Sequence, residues 1–144
     1  GYSTRQRPDN QMASAKTRIN RPPRPRLRPE PQVRVQFGTG FPLGPGKVRL
    51  IEAIQSTGSI SAAARQARMS YRRAWVLVDE VNRSFREPLV ETVTGGKGGG
   101  GARVTPMGEA ALHRYRELED KVRRMVDREV ESFADLPAPP EAPE

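Results

Sequence analysis

From Val33 the chain alternates apolar Val33, Val35 and Phe37 with polar Arg34 and Gln36, the two-residue period of a half-buried strand. Turn-forming glycines and prolines fill positions 38–46 behind it. The period then lengthens. Val48, Ile51 and Ile54 share one stripe with Leu50 beside it, which predicts a helix over 47–57 of about three turns. Gly58 stands where a helix end favours positive φ. A short alanine-rich helix follows, with Ser59 or Ser61 as its cap and Ala62, Ala63 and Ala64 as its body. Ser70 caps a second helix, in which Ala74, Leu77, Val78, Val81 and Phe85 recur at i, i+3, i+4, i+7 and i+11. Two helices joined by so short a turn make a helix-turn-helix. The inward stripe of the second leaves Tyr71, Arg72 and Arg73 free on its first turn.

Beyond Pro88 the run 89–94 has strand composition, seven residues of glycine and Lys97 intervene, and 102–105 is strand-like again. This predicts a hairpin with a singly charged tip. Thr105 followed by Pro106 is a strong helix start. Ala111, Tyr115, Leu118, Val122 and Met125 then follow a 4-3-4-3 spacing, and Val126, Val130 and Phe133 continue it after a one-residue drift, so the helix runs to near Leu136. Its apolar end exceeds what one small domain covers, which points to the same helix of a second subunit. The expected dimerisation residues are Tyr115, Leu118, Val122, Met125, Val126, Val130 and Phe133; a helix folded back on its own domain is the alternative.

Charge separates these parts. The 144 residues carry a formal net charge of +8, with no Cys and one His. Residues 1–32 hold eight basic side chains against Asp9 and Glu30, residues 47–105 ten against five, and residues 106–144 six against ten. The opening arm, 1–32, is broken by proline every second or third position through 21–29 and is expected to be disordered with polyproline II character. It reads as a solvated tail or as a basic arm adding phosphate contacts. The tail 137–144 is expected to be disordered on the same grounds. Without cysteine, disulfide frameworks and thiolate metal sites are excluded, and no run approaches the roughly 18 apolar residues of a membrane helix. A cytoplasmic protein without membrane partners or cofactors is expected.

An arginine-rich first turn suits a major-groove helix, because guanidinium forks pair with guanine edges or clamp phosphates. Trp75 lies between the buried stripe and that turn, fit either for the core or for the sugar-phosphate edge. The expected DNA contacts are Ser59, Ser61, Ser70, Tyr71, Arg72, Arg73, Trp75, Lys97 and Arg103. Glycine beside lysine invites comparison with a nucleotide-binding loop, but Glu91 and Gly98 occupy the positions where that motif needs Gly and Ser or Thr. Enzymatic chemistry is not expected, since His113 has no His or Cys partner at catalytic or metal spacing. Asn82, Arg83 and Ser84 match a glycosylation sequon, discounted because it lies on the second helix of the pair.

Residues 58–64, 69–71, Ala74-Trp75 and above all Thr94-Gly95-Gly96-Lys97-Gly98-Gly99-Gly100-Gly101-Ala102 resemble the DNA-binding domain of the molybdate-responsive regulator ModE, a winged helix-turn-helix related to the LysR type. The resemblance covers roughly 33–136. It implies a mainly α fold with a small β-hairpin: a winged helix-turn-helix over 33–105 and a long C-terminal dimerisation helix over 106–136. It also implies a sequence-specific, homodimeric transcriptional regulator of double-stranded DNA, with helix 70–86 in the major groove and 88–105 as the wing. The competing reading is a non-sequence-specific nucleic-acid-binding or architectural protein. Arg68 stands where the family has a turn glycine, which implies either strain or an altered turn. Molybdate in that family is held by separate C-terminal domains, so no direct molybdate binding is expected of these residues.

Overall fold

A computed structural model of the protein describes residues 28–38, 40–96 and 99–138. It is a winged helix-turn-helix: α1 (Pro45–Thr57), α2 (Ile60–Gln66), α3 (Tyr71–Ser84), an antiparallel hairpin of β1 (Val90–Gly96) and β2 (Gly99–Val104), and α4 (Pro106–Glu129). Residues 29–129 form one packed unit. Its core joins Val48, Leu50, Ile51 and Ile54 of α1 to Ala63 and Ala64 of α2, and Ala74, Leu77, Val78 and Val81 of α3. Leu89, Val90 and Ala102 at the hairpin base and Leu112 and Tyr115 of α4 complete it. The buried Ala63 and Ala64 let α1 and α3 both pack closely against the short middle helix.

Side-chain caps set the helix starts. Ser59 Oγ accepts from the Ala62 amide at 2.9 Å and Ser70 Oγ from the Arg73 amide at 3.0 Å. Thr105 Oγ1 accepts from the Gly108 amide at 3.0 Å while its hydroxyl donates to Pro88 O at 2.6 Å, so one residue starts α4 and ties it to the loop before the wing. Each such cap stabilises by about 1 kcal/mol. Pro45 sits at the start of α1, where its missing N–H costs nothing, so that helix begins two residues before the expected 47.

Several expectations need correction. Residues 33–37 form no strand: the segment makes one isolated bridge, Val35 to Leu43, with N–H···O distances of 2.9 and 2.8 Å, and turns back instead of finding a sheet neighbour. The packed unit begins at Pro29 and not at Val33, because Pro29 and Pro31 are half-buried and Glu30 pairs with Arg123 at 3.7 Å. The third helix ends at Ser84 rather than 86; Pro88 disfavours helical geometry at the residue before it, and Phe85 leaves the helix in extended conformation. The α-helix of 106–136 ends at Glu129. Residues Val130–Phe133 form a 3-10 turn in which the Ala134 amide donates to Glu131 O at 3.1 Å; Pro137 ahead bars further helix. The expectations for 1–27 and 139–144 lie outside the described residues.

Candidate nucleic-acid interface

The turn between α2 and α3 closes α2 by a double hydrogen bond. The Met69 amide donates to Ala64 O at 2.9 Å and the Arg68 amide to Arg65 O at 3.1 Å, the Schellman arrangement that requires a left-handed residue between them. That residue is Arg68, at φ 59°, so of the two outcomes its sequence position allowed, the turn keeps its geometry and Arg68 carries the strain. Two residues on, Ser70 starts α3, and the turn aims the first turn of that helix away from the core.

Tyr71, Arg72 and Arg73 are all exposed there. Among the described residues neither Arg72 nor Arg73 has an ion-pair or hydrogen-bond partner for its guanidinium, which leaves both forks available to an anion or a base edge. Trp75 is not core: it stands exposed against Tyr71 edge to face, ring centres 6.1 Å apart at 84°. Ser59 and Ser70 spend their hydroxyl oxygens on caps, while exposed Ser61 accepts from Arg65 Nη1 at 3.0 Å.

The hairpin pairs Val90 with Val104, Glu91 with Arg103, Thr92 with Ala102 and Val93 with Gly101, then shifts register before Gly96 and Gly99. Arg103 Nε meets Glu91 Oε1 at 2.5 Å across the strands, so part of its charge is already neutralised. Lys97 lies outside the described residues. Two attachments fix the base of this wing. The Ala102 amide donates to Gly58 O at 2.9 Å, where Gly58 ends α1 at φ 76°. Asn82, on the last turn of α3, uses both ends of its amide: Oδ1 accepts from the Leu89 and Val90 amides at 2.8 and 3.1 Å, and Nδ2 donates to Val90 O at 2.9 Å. The sequence marked Asn82 only as a discounted sequon; its partners are backbone groups seven and eight positions away, which no residue pattern announces.

On α4 the expected dimerisation stripe divides. Tyr115 belongs to the core of the packed unit, 3% exposed, with its hydroxyl donating to Val33 O at 2.7 Å. It is therefore removed from the candidate interface. Burial, with Glu119 nearby, raises its pKa above the usual 10.0. Leu118 and Met125 are exposed, Val122 and Val126 half-buried. An apolar groove of about 330 Å³ opens beside Leu118, walled by Val35, Phe37, Phe85 and Met107. Arg116 anchors α4 to α1 by bonding Glu52, with Nη1 also 2.6 Å from Glu119; the Glu52 hydrogen bond is the chief reason its pKa is raised. No three acidic or histidine side chains among the described residues could hold a metal ion, and no described helix is long and apolar enough to cross a membrane.

A short capped helix, a tight turn, a second helix with exposed arginines on its first turn and an anchored glycine-rich hairpin together define a winged helix-turn-helix. Residues 46–109 match the family described as "Bacterial regulatory helix-turn-helix protein, lysR family". These residues thus resemble a LysR-type helix-turn-helix, and the relatives that the chain is similar to include ModE proteins. It is 43% identical over 88 residues to the molybdenum-pterin-binding protein MopB of Rhodobacter capsulatus, 61% of this chain and 33% of that protein. It is 46% identical over 71 residues to the transcriptional regulator ModE of Yersinia pestis, 49% of this chain and 27% of the relative. Against the DNA-binding transcriptional dual regulator ModE of Escherichia coli K12 the figure is 42% over 71 residues, again 27% of the relative. The chain spans about a third or less of the relatives it matches.

Proposed function

We propose that the protein is a sequence-specific DNA-binding transcriptional regulator of the ModE/LysR winged-helix type, with α3 in the major groove and the hairpin along the backbone. The observation that carries this reading is the pair of exposed guanidinium groups on the capped first turn of α3, neither with a partner among the described residues. There a fork reaches guanine O6 and N7 or a phosphate. Ser59, Ser61, Ser70, Tyr71, Trp75, Lys97 and Arg103 complete the proposed contact set. Replacing Arg72 or Arg73 by alanine is expected to cost about 1–3 kcal/mol on the preferred site and to flatten discrimination at one base position. Lys97→Ala is expected to weaken all sequences alike and to reduce the salt slope by about one. Equal losses on preferred and random duplexes in both arginine variants would mean phosphate contacts only and would remove base reading from α3.

The regulator acts as a homodimer in this reading, through Leu118, Val122, Met125 and Val126 of α4, and through Val130 and Phe133 beyond it. Support comes from Leu118 and Met125, exposed on a helix whose other side is packed. Light scattering tests it: the unmodified chain is expected as a dimer at micromolar concentration, and a chain with Val122→Glu and Met125→Glu as a monomer. A monomeric unmodified chain refutes the dimer. Molybdenum, which the names of some relatives carry, is not part of the reading, because the shared residues are about a third of those proteins.

A further inference from the structure

The outward face of α3 is not the uniformly polar face of a solvated helix. Tyr71, Trp75 and Val76 are 55, 39 and 41% exposed, and they stand among Arg72, Arg73, Asp79 and Arg83. At about 3.6 residues per turn, Arg72, Val76 and Arg83 fall near the middle of the face opposite the buried stripe of Ala74, Leu77, Val78 and Val81. Tyr71 and Trp75, one turn apart, form one flank, and Arg73 and Glu80 the other. The aromatic pair is already packed edge to face, so its geometry does not have to be assembled on contact.

The occupant of such a face must offer apolar groups set among anions. The cations around the patch are numerous: Arg65 and Arg68 before α3, and Arg72 and Arg73 on it, all exposed. A B-form major groove presents one apolar group, the thymine 5-methyl, between two rows of phosphates. A helix with its side chains, about 10–12 Å across, fills that groove, so both the middle and the flank of the face come within reach of base edges.

We propose that Val76 and Trp75, with Tyr71 supporting Trp75, read thymine through its 5-methyl group, so that the preferred site owes part of its affinity to thymines at fixed positions. This rests on the DNA-binding reading and adds a specificity determinant to it. Val76 is the residue that contributes most directly, and it is absent from the contacts expected from the sequence.

The test uses the full chain and a duplex that the protein itself selects from a random-sequence library. The duplex is made twice, once with thymine and once with deoxyuridine at every thymine position, and binding is followed by fluorescence anisotropy. Removing one methyl buried against Val76 or Trp75 is expected to weaken binding about fourfold, from roughly 0.8 kcal/mol per buried methylene-sized group. Val76→Ala, which places a good helix former on an exposed position, is expected to bind the thymine duplex more weakly and to bring the thymine-to-deoxyuridine ratio towards one. Trp75→Ala, checked for folding by circular dichroism, is expected to do the same. Equal binding of both duplexes by the unmodified protein overturns the inference and leaves DNA binding standing; it is also the result expected if the patch serves a protein partner. An unchanged ratio in both variants overturns it too. If no duplex is enriched above random sequence, the DNA-binding reading fails and this inference fails with it.

Discussion

Asn82→Ala removes the link between α3 and the wing, and the structure sets its cost. Three hydrogen bonds disappear, at 2.8, 3.1 and 2.9 Å, and the Leu89 and Val90 amides lose their shared acceptor. Both residues are almost fully buried, so water does not readily replace that acceptor. A net hydrogen bond is worth about 0.5–1.5 kcal/mol and a buried orphaned donor costs about 1–3 kcal/mol, which puts the loss at about 2–4 kcal/mol. Against a total of about 5–15 kcal/mol for a domain, the variant stays folded at room temperature with Tm lowered by about 10–25 °C. Asn82→Asp keeps the two acceptor bonds and loses only the donor, so it is expected to lie between the two. Thermal unfolding gives the stability, and amide exchange at Leu89 and Val90 locates the effect. An Asn82→Ala protein within about 0.5 kcal/mol of the unmodified one, with both amides still protected, refutes the latch.

Other substitutions probe the strain and the packing around the same fold. Arg68→Gly relieves the positive φ of 59° and is expected to raise stability by about 1 kcal/mol in urea denaturation; a loss would mean that the Arg68 side chain stabilises the turn. Gly108→Ala places a methyl against Leu89 O and 2.6 Å from Val104 Cγ1, and a cost of about 1–3 kcal/mol or more is expected from overpacking the junction of wing and α4; unchanged Tm would contradict that packing. Tyr115→Phe loses the hydroxyl bond to Val33 O, worth about 1–2 kcal/mol. Because the folded pKa of Tyr115 is raised above 10.0, its contribution is complete below the unfolded value and is lost as pH rises through the folded one. Stability measured from about pH 8 to pH 11 is therefore expected to fall less in Tyr115→Phe, and parallel curves would contradict the assignment.

The helix-turn-helix was legible because its signals are local: serine caps next to their amides, and the stripe of Ala74, Leu77, Val78 and Val81 at helical spacing. What depended on distant partners was not. Val33, Val35 and Phe37 alternate as a strand does, but pairing needs a neighbouring strand, and among the described residues the segment makes only the single bridge from Val35 to Leu43. Tyr115 shares its stripe with Leu118 and Val122, and spacing alone does not separate the buried position from the exposed one on that stripe. Val76 could have been found from the sequence, since helical geometry sets it between Arg72 and Arg83 on the free side. Asn82 could not, because its role exists only once the wing has folded back onto α3.

Sequence-specific recognition is tested most directly by measuring affinity for a selected duplex and for random duplex over a series of salt concentrations. Specific binding is expected to exceed random binding by about a thousandfold or more near physiological salt, with both declining as salt rises through loss of phosphate contacts. A ratio near one at every salt concentration would contradict recognition by α3 and would make the protein a non-specific or architectural binder.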